Sequence, residues 1–215
     1  MVTADSVKVK IQGLIASANA KTGNTDADLT TAVNALIAGF GQGGGDHSIE
    51  DGLLDNTLTE YYNDRITFVR QNAFANTNLV SVSLPKVTII GGNTFSACFK
   101  LVNVNLPELV ILSGHSHFDS CRAIEIIKLP KAHAISSTAF INCSKLKTVV
   151  LARQNITNIE SINAFQNTPF AANGTGGTVY VPSALIAEYQ NATNWSTLYA
   201  AGTCNFVAIE GSEYE

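Results

Sequence analysis

The fold class that the sequence predicts is an α/β-type repeat solenoid of about five coils, each of roughly 22 residues with short strands. Three observations point to it. Phenylalanines align at Phe74, Phe95, Phe118, Phe140 and Phe165, in steps of 21, 23, 22 and 25 residues. A leucine-proline step recurs at Leu84 and Pro85, Leu106 and Pro107, and Leu129 and Pro130, with Leu151 and Ala152 ending the fourth copy. Cys98, Cys121 and Cys143 each stand three residues after a repeat phenylalanine, where the outer copies carry Thr77 and Thr168. A fixed period with spaced apolar positions means that each copy buries its face against the next.

Residues 1–40 read as a helical hairpin. Val7, Ile11, Leu14, Ile15 and Ala18 share one helical face, and Leu29, Val33, Leu36, Ile37 and Phe40 form a second stripe. Thr25 and Asp28 make a loose capping box for the second helix. Two helices this short cannot bury both stripes alone, so self-association or docking on a larger assembly is expected of them. A glycine-rich linker occupies 41–46. Residues 47–65 read as an N-terminal cap, in which Thr57 to Tyr62 alternates as a short edge strand.

The repeats span 66–178. Leu79, Val82 and Leu84 recur as Leu101, Val104 and Leu106, as Ile124, Ile127 and Leu129, and as Leu146, Val149 and Leu151. Period-two alternation makes each set a short strand with these residues inward, and the following proline ends it. A second apolar stretch, Val87 to Ile90 in the clearest copy, leads to the phenylalanine. The cysteine position suits a buried column of small thiols, and whether any two of them bridge stays open. Residues 179–215 read as a C-terminal cap of strand, helix and strand. Val179 to Val181 is the first strand, and Ser183 caps a helix bearing Leu185, Ile186, Tyr189, Ala192 and Trp195. The last strand is Cys204 to Ile209.

The order isoleucine, glycine, phenylalanine, cysteine, leucine and a strand ending in leucine-proline resembles the BspA-like leucine-rich-repeat family. The resemblance covers residues 57 to about 199, including TLTEYYND at its start and VYVP, Tyr189 and Trp195 at its end. It implies a right-handed leucine-rich-repeat solenoid, capped at both ends, that recognises host surfaces or proteins and carries no catalytic residues. The first 45 residues resemble an N-terminal module of prophage tail or minor structural proteins of Gram-positive gut bacteria.

Composition narrows the partners. Charged residues are 14% of the chain and no Lys/Arg cluster stands out, which argues against nucleic acid. No apolar run is long enough to insert in a membrane, and no basic region followed by an apolar stretch opens the chain as a secretory signal would. Synthesis in the cytoplasm with release as a phage component fits this, or the cell surface if the chain is exported.

Chemistry-bearing motifs are few. His115 and His117 form an HxH that would share a face if it lay on a strand, with His133 and Asp119 as the nearest further ligands. A solvated turn is the stronger reading, and no metal or cofactor is assigned. Ser116 lies between the histidines without a positioned partner in sequence, so no nucleophile is assigned and the chain is read as non-enzymatic. The candidate ligand-binding face is the outward side of the strands: Ser81, Asn103, Ile126 and Thr148 in one column, Ser83, Asn105, Lys128 and Val150 in the other. Ile126 and Val150 form an expected exposed apolar pair. Tyr61, Tyr62 and Tyr189 are further contact candidates, though each also suits a cap. The function expected is binding to a protein or carbohydrate on a cell surface, as part of a prophage tail or host-attachment complex. A structural spacer that binds its own copies, and a secreted surface adhesin, are the alternatives.

Overall fold

A computed structural model describes residues 57–215, which lie within the second of two compact units, His47–Glu215. The helical hairpin, the glycine linker and the first part of the N-terminal cap lie outside the described residues.

Two kinds of strand alternate along the repeats. The longer kind comprises β1 (Glu60–Tyr62), β3 (Ser81–Ser83), β5 (Asn103–Asn105), β7 (Ile126–Lys128) and β9 (Thr148–Val150). The shorter kind comprises β2 (Phe68–Val69), β4 (Ile89–Ile90), β6 (Ile111–Leu112), β8 (Ala134–Ile135) and β10 (Asn158–Ile159). All pairings are parallel, and each joins a strand to its equivalent in the next coil. Alternation sets the faces, as in β3, where Val82 is buried between half-buried Ser81 and Ser83. The shorter strands were not foreseen as a ladder of their own. At two residues each, they are too short for any alternation to show.

Between the two ladders the chain turns a corner around the phenylalanine. Phe74, Phe95, Phe118, Phe140 and Phe165 stack at centroid distances of 5.2, 5.2, 5.3 and 5.7 Å, with planes within 16° of parallel. The amide of each of the first four donates to a carbonyl of the next coil at 2.8–2.9 Å, on Thr94, His117, Ala139 and Ala164 in turn. Two residues past every phenylalanine the backbone is left-handed, at Asn76, Ala97, Ser120, Asn142 and Asn167, with φ between 58° and 62°. Asparagine tolerates that conformation better than most residues; alanine has nothing to offset the cost.

Beside the phenylalanines runs the cysteine column. Cys98, Cys121 and Cys143 are buried free thiols that donate to Phe74 O, Phe95 O and Phe118 O at 2.9, 3.0 and 3.0 Å. Thr77 and Thr168 do the same with their hydroxyls, to Phe74 O and Phe165 O at 2.8 and 2.6 Å. The position therefore needs a small side chain with one proton to give. Burial pushes the Cys143 thiol up to about 12, and raises Cys98 and Cys121 as well. All three stay protonated donors at neutral pH.

The ends are closed by aromatic side chains. Tyr61 of β1 tilts onto Phe74 at 5.0 Å. At the other end β11 (Gly177–Val181) pairs with β9, and β12 (Cys204–Ala208) pairs with β11. Gly177 is forced by space, since a Cβ there would lie 2.3 Å from Phe170 Cζ. Between β11 and β12 the single expected helix is broken into a 3-10 turn (Ser183–Leu185), α1 (Ile186–Asn191) and α2 (Trp195–Ala200), so Trp195 begins a second helix. Ser183 makes no side-chain cap; its amide instead donates to the Glu210 carboxylate at 2.9 Å. Trp195 Nε1 donates to Thr157 O, and Tyr189 OH accepts from Thr157 N, both at 2.8 Å, which moors both helices to the last coil.

Both ladders break at one place. The longer strands form the sheets β1-β3-β5 and β7-β9-β11-β12, and the shorter ones β2-β4-β6 and β8-β10. At the other junctions Leu84 and Leu129 donate to Asn105 O and Val150 O, and Thr148 donates to Glu125 O; the equivalent bonds from Leu106 to Lys128 and from Ile126 to Val102 are not formed. Five steps run from Ile90 to Phe95 and from Ile135 to Phe140, and six from Ile159 to Phe165; β4 pairs with β6 and β8 with β10 across that difference, so length alone does not open the junction beside the six-step loop from Leu112 to Phe118. Within that longer loop His117 occupies the position of Ala73, Thr94, Ala139 and Ala164 and is fully buried. Its ring reaches Ser113 O at 3.2 Å and Ser136 Oγ at 3.0 Å, bridging the two coils where β6 and β8 would pair. This corrects the reading of the HxH: the pair is not on a strand, His115 is exposed, and His117 is not solvated.

Three outcomes test this account. Phe118→Ala lowers the unfolding free energy by about 3–5 kcal/mol in denaturant titration. Ala97→Asn raises it by about 0.5–1 kcal/mol, because it relieves a left-handed alanine. The third concerns His117, whose pKa burial lowers from 6.5 to about 4, opposed by the Ser113 carbonyl and aided by His115. Above the ordinary value the imidazole is neutral in both states and costs nothing. Between 6.5 and about 4 the unfolded chain takes a proton that the folded one refuses. Stability therefore falls as pH drops through that window, by up to roughly 3 kcal/mol, and His117→Thr removes this part of the slope.

Candidate binding face

The outward columns of the longer strands are set by register. One runs Glu60, Ser81, Asn103 on one side of the break and Ile126, Thr148, Thr178, Asn205 on the other. The second runs Tyr62, Ser83, Asn105, then Lys128, Val150, Tyr180, Val207. All eight candidate residues therefore stand on these two columns, but they are not equally accessible. Asn103, Asn105, Ile126 and Lys128 are exposed; Ser81, Ser83 and Thr148 are half-buried. Asn105 Nδ2 donates to Ser83 Oγ at 2.9 Å across neighbouring coils.

Val150 departs from expectation: it is 3% exposed, so no apolar pair with Ile126 is presented. The chain beyond β12 folds back over this end of the sheet. Tyr214 meets Tyr180 edge-on at 4.7 Å, and Lys128 Nζ lies 5.0 Å from the centre of the Tyr214 ring. Tyr180, Val150 and Lys128 are successive neighbours in one column. A ring touching both outer members spans the valine between them. Nothing local to Val150 announces this, because the covering residue lies 64 positions further along the chain.

The tyrosine candidates separate in the same way. Tyr62 is 66% exposed on the first strand, whereas Tyr61 is half-buried against Phe74 and Tyr189 is fully buried. Tyr61 and Tyr189 thus serve the caps.

The break between β5 and β7 falls in the middle of the accessible area. The four exposed candidates are the residues flanking it. Val104, inward-facing in β5, is half-buried where Val82, Ile127 and Val149 are buried. Close by, Phe99 is 52%, Val102 45% and Ile126 41% exposed. Sequence reasoning missed Phe99 and Val102. A signal existed, since aligned copies carry Asn78, Arg122 and Ser144 beside Phe99. Phe99 is apolar on a polar column, whereas the column of Val102 holds Val80 as well as Glu125 and Lys147.

Among the described residues no three His, Cys, Asp or Glu side chains converge as a metal would require, and no helix is long and apolar enough to cross a membrane. His115, His133 and Asp119 do not gather around His117, whose ring nitrogens meet Ser113 and Ser136. Ser116 hydrogen-bonds Thr138 Oγ1 at 2.9 Å and has no histidine partner. What the face offers is a regular array of side chains for contact.

Among curated proteins nothing matches the chain. The crystal structure of a T. pallidum leucine-rich-repeat protein is similar at 27% identity, over 57% of this chain and 58% of that one, with a TM-score of 0.47. The BspA type leucine-rich-repeat region matches residues 67–174 in six copies, just over half of the chain. Stacked phenylalanines, parallel strands of equal register and this match lead to one assignment: the chain belongs to the BspA-type leucine-rich-repeat family.

Proposed function

We propose that this chain is a non-enzymatic recognition protein whose outer strand face binds a protein or carbohydrate on a cell surface. The observation that carries the reading is the placement of Asn103, Asn105, Ile126 and Lys128. They are exposed together, on a backbone held from behind by the phenylalanine stack. Side chains fixed on a rigid sheet lose little freedom on binding, so more of each contact appears as affinity. Membership of a repeat family that builds binding scaffolds supports the same reading. The resemblance of residues 1–45 to prophage tail modules supports a docking role for that segment, with the repeats facing the host.

The test uses the full labelled chain and intact Gram-positive gut bacteria. Replacing Asn103, Asn105, Ile126 and Lys128 together lowers cell labelling by about tenfold or more, equivalent to about 1.4 kcal/mol. Labelling that survives the quadruple substitution overturns the strand-face reading. An oligomer that buries the face, seen by sedimentation, turns the choice to a self-assembling spacer.

A further inference from the structure

We infer that the open junction between β5 and β7 is a docking site for an acidic, extended polypeptide segment bearing aliphatic side chains. This rests on the recognition reading above and names its partner class. Three of the most exposed apolar side chains, Phe99, Val102 and Ile126, lie at the approaches to β5 and β7. Val102 O and Ile126 N are the atoms whose mutual bond is absent there, as are Leu106 N and Lys128 O. The site therefore couples apolar surface with backbone groups that other coils use up internally.

Charge selects the partner. Lys100 and Arg122 are exposed on the turns that lead into β5 and β7, and Lys145 and Lys147 on the turn that leads into β9; Glu125 is the exposed acidic residue among them, and Asp119, three residues before Arg122, is half-buried. Among the described residues the one ion pair is Lys131 with Glu108, so none of these four cations is neutralised. Arg122 lies 5.2 Å from the centre of the Phe99 ring. The whole chain carries a net charge of −4, so this local excess of cations runs against its overall sign. Carboxylates on a partner meet cations here and repulsion over the rest of the chain's average charge.

The apolar part argues for a peptide over a glycan. Val102 and Ile126 are aliphatic, and the one aromatic ring, Phe99, already has the Arg122 guanidinium against it. Aliphatic surface is matched by leucine, isoleucine or valine side chains. The coils from Lys100 to Lys147 lie two strand spacings apart, roughly 10 Å, which three or four residues of extended chain cover. Unpaired amides at the junction then donate to the carboxylates or carbonyls of that segment.

The probe is a display library of random peptides of about twelve residues, panned on the full chain, with selected peptides measured by fluorescence anisotropy. The expected result is enrichment of Asp and Glu together with Leu, Ile and Val. Affinity should weaken with added salt, and fall at least about tenfold in Arg122→Glu/Lys147→Glu at unchanged melting temperature. Enrichment of basic or uncharged peptides, or no enrichment, overturns the inference. So does an affinity indifferent to the charge reversal. Self-association of the full chain that the same two substitutions abolish overturns it in favour of a second copy. Cell labelling separates the two levels. If the charge reversal leaves labelling intact while the quadruple substitution of the strand face removes it, recognition stands and the acidic partner falls.

Discussion

Phenylalanine rings spaced 5.2 to 5.7 Å apart set the distance between coils, and the corner amides lock that distance at every junction from Phe74 to Phe165. Buried aromatic stacks contribute both apolar area and ring–ring attraction. Because the rings are evenly spaced, strands of successive coils meet in register at every junction but one among the described residues. The cysteine and threonine column depends on the same corner, as its protons go to phenylalanine carbonyls. Both caps depend on it too, since Tyr61 and Trp195 pack on the first and last rings.

This arrangement separates stiffness from accessibility. Between the second and third coils the corner is closed while the strand sides are unpaired, so the junction behaves as a join along one edge. The accessible face borders that unpaired side. A ligand meets side chains whose backbones are held from behind but not zipped to each other. His117 stands beside it, its ring held by Ser113 O on one coil and Ser136 Oγ on the next. Its burial comes without an orphaned polar atom, as both ring nitrogens are met.

Most of the scaffold was legible from columns. The phenylalanine stack, the inward leucines and the thiol column each follow from a residue type that returns at one period. The second ladder was not legible, because two residues cannot display alternation. The burial of Val150 was not legible either, since it depends on Tyr214 arriving from the far end of the chain. His117 was half legible: the column alignment set it beside alanines and threonine, which signals burial, yet the HxH spacing drew the reading toward a turn. The broken C-terminal helix escaped because Ala192 to Asn194 carries no proline or glycine to mark a stop.

Loop length is the variable this architecture leaves free. The six-step loops before Phe118 and Phe165, and the longer path from β10 to Gly177, are taken up without turning a strand over, because they lie outside strands. One residue gained inside a strand such as β7 would send Ile127 outward and Ile126 or Lys128 into the core. Lineages of such repeats can therefore change spacing at corners while their strand columns stay fixed. The junction beside His117 shows how far two neighbouring coils can differ: the strands part, while the stacked rings and the corner hydrogen bonds continue unbroken.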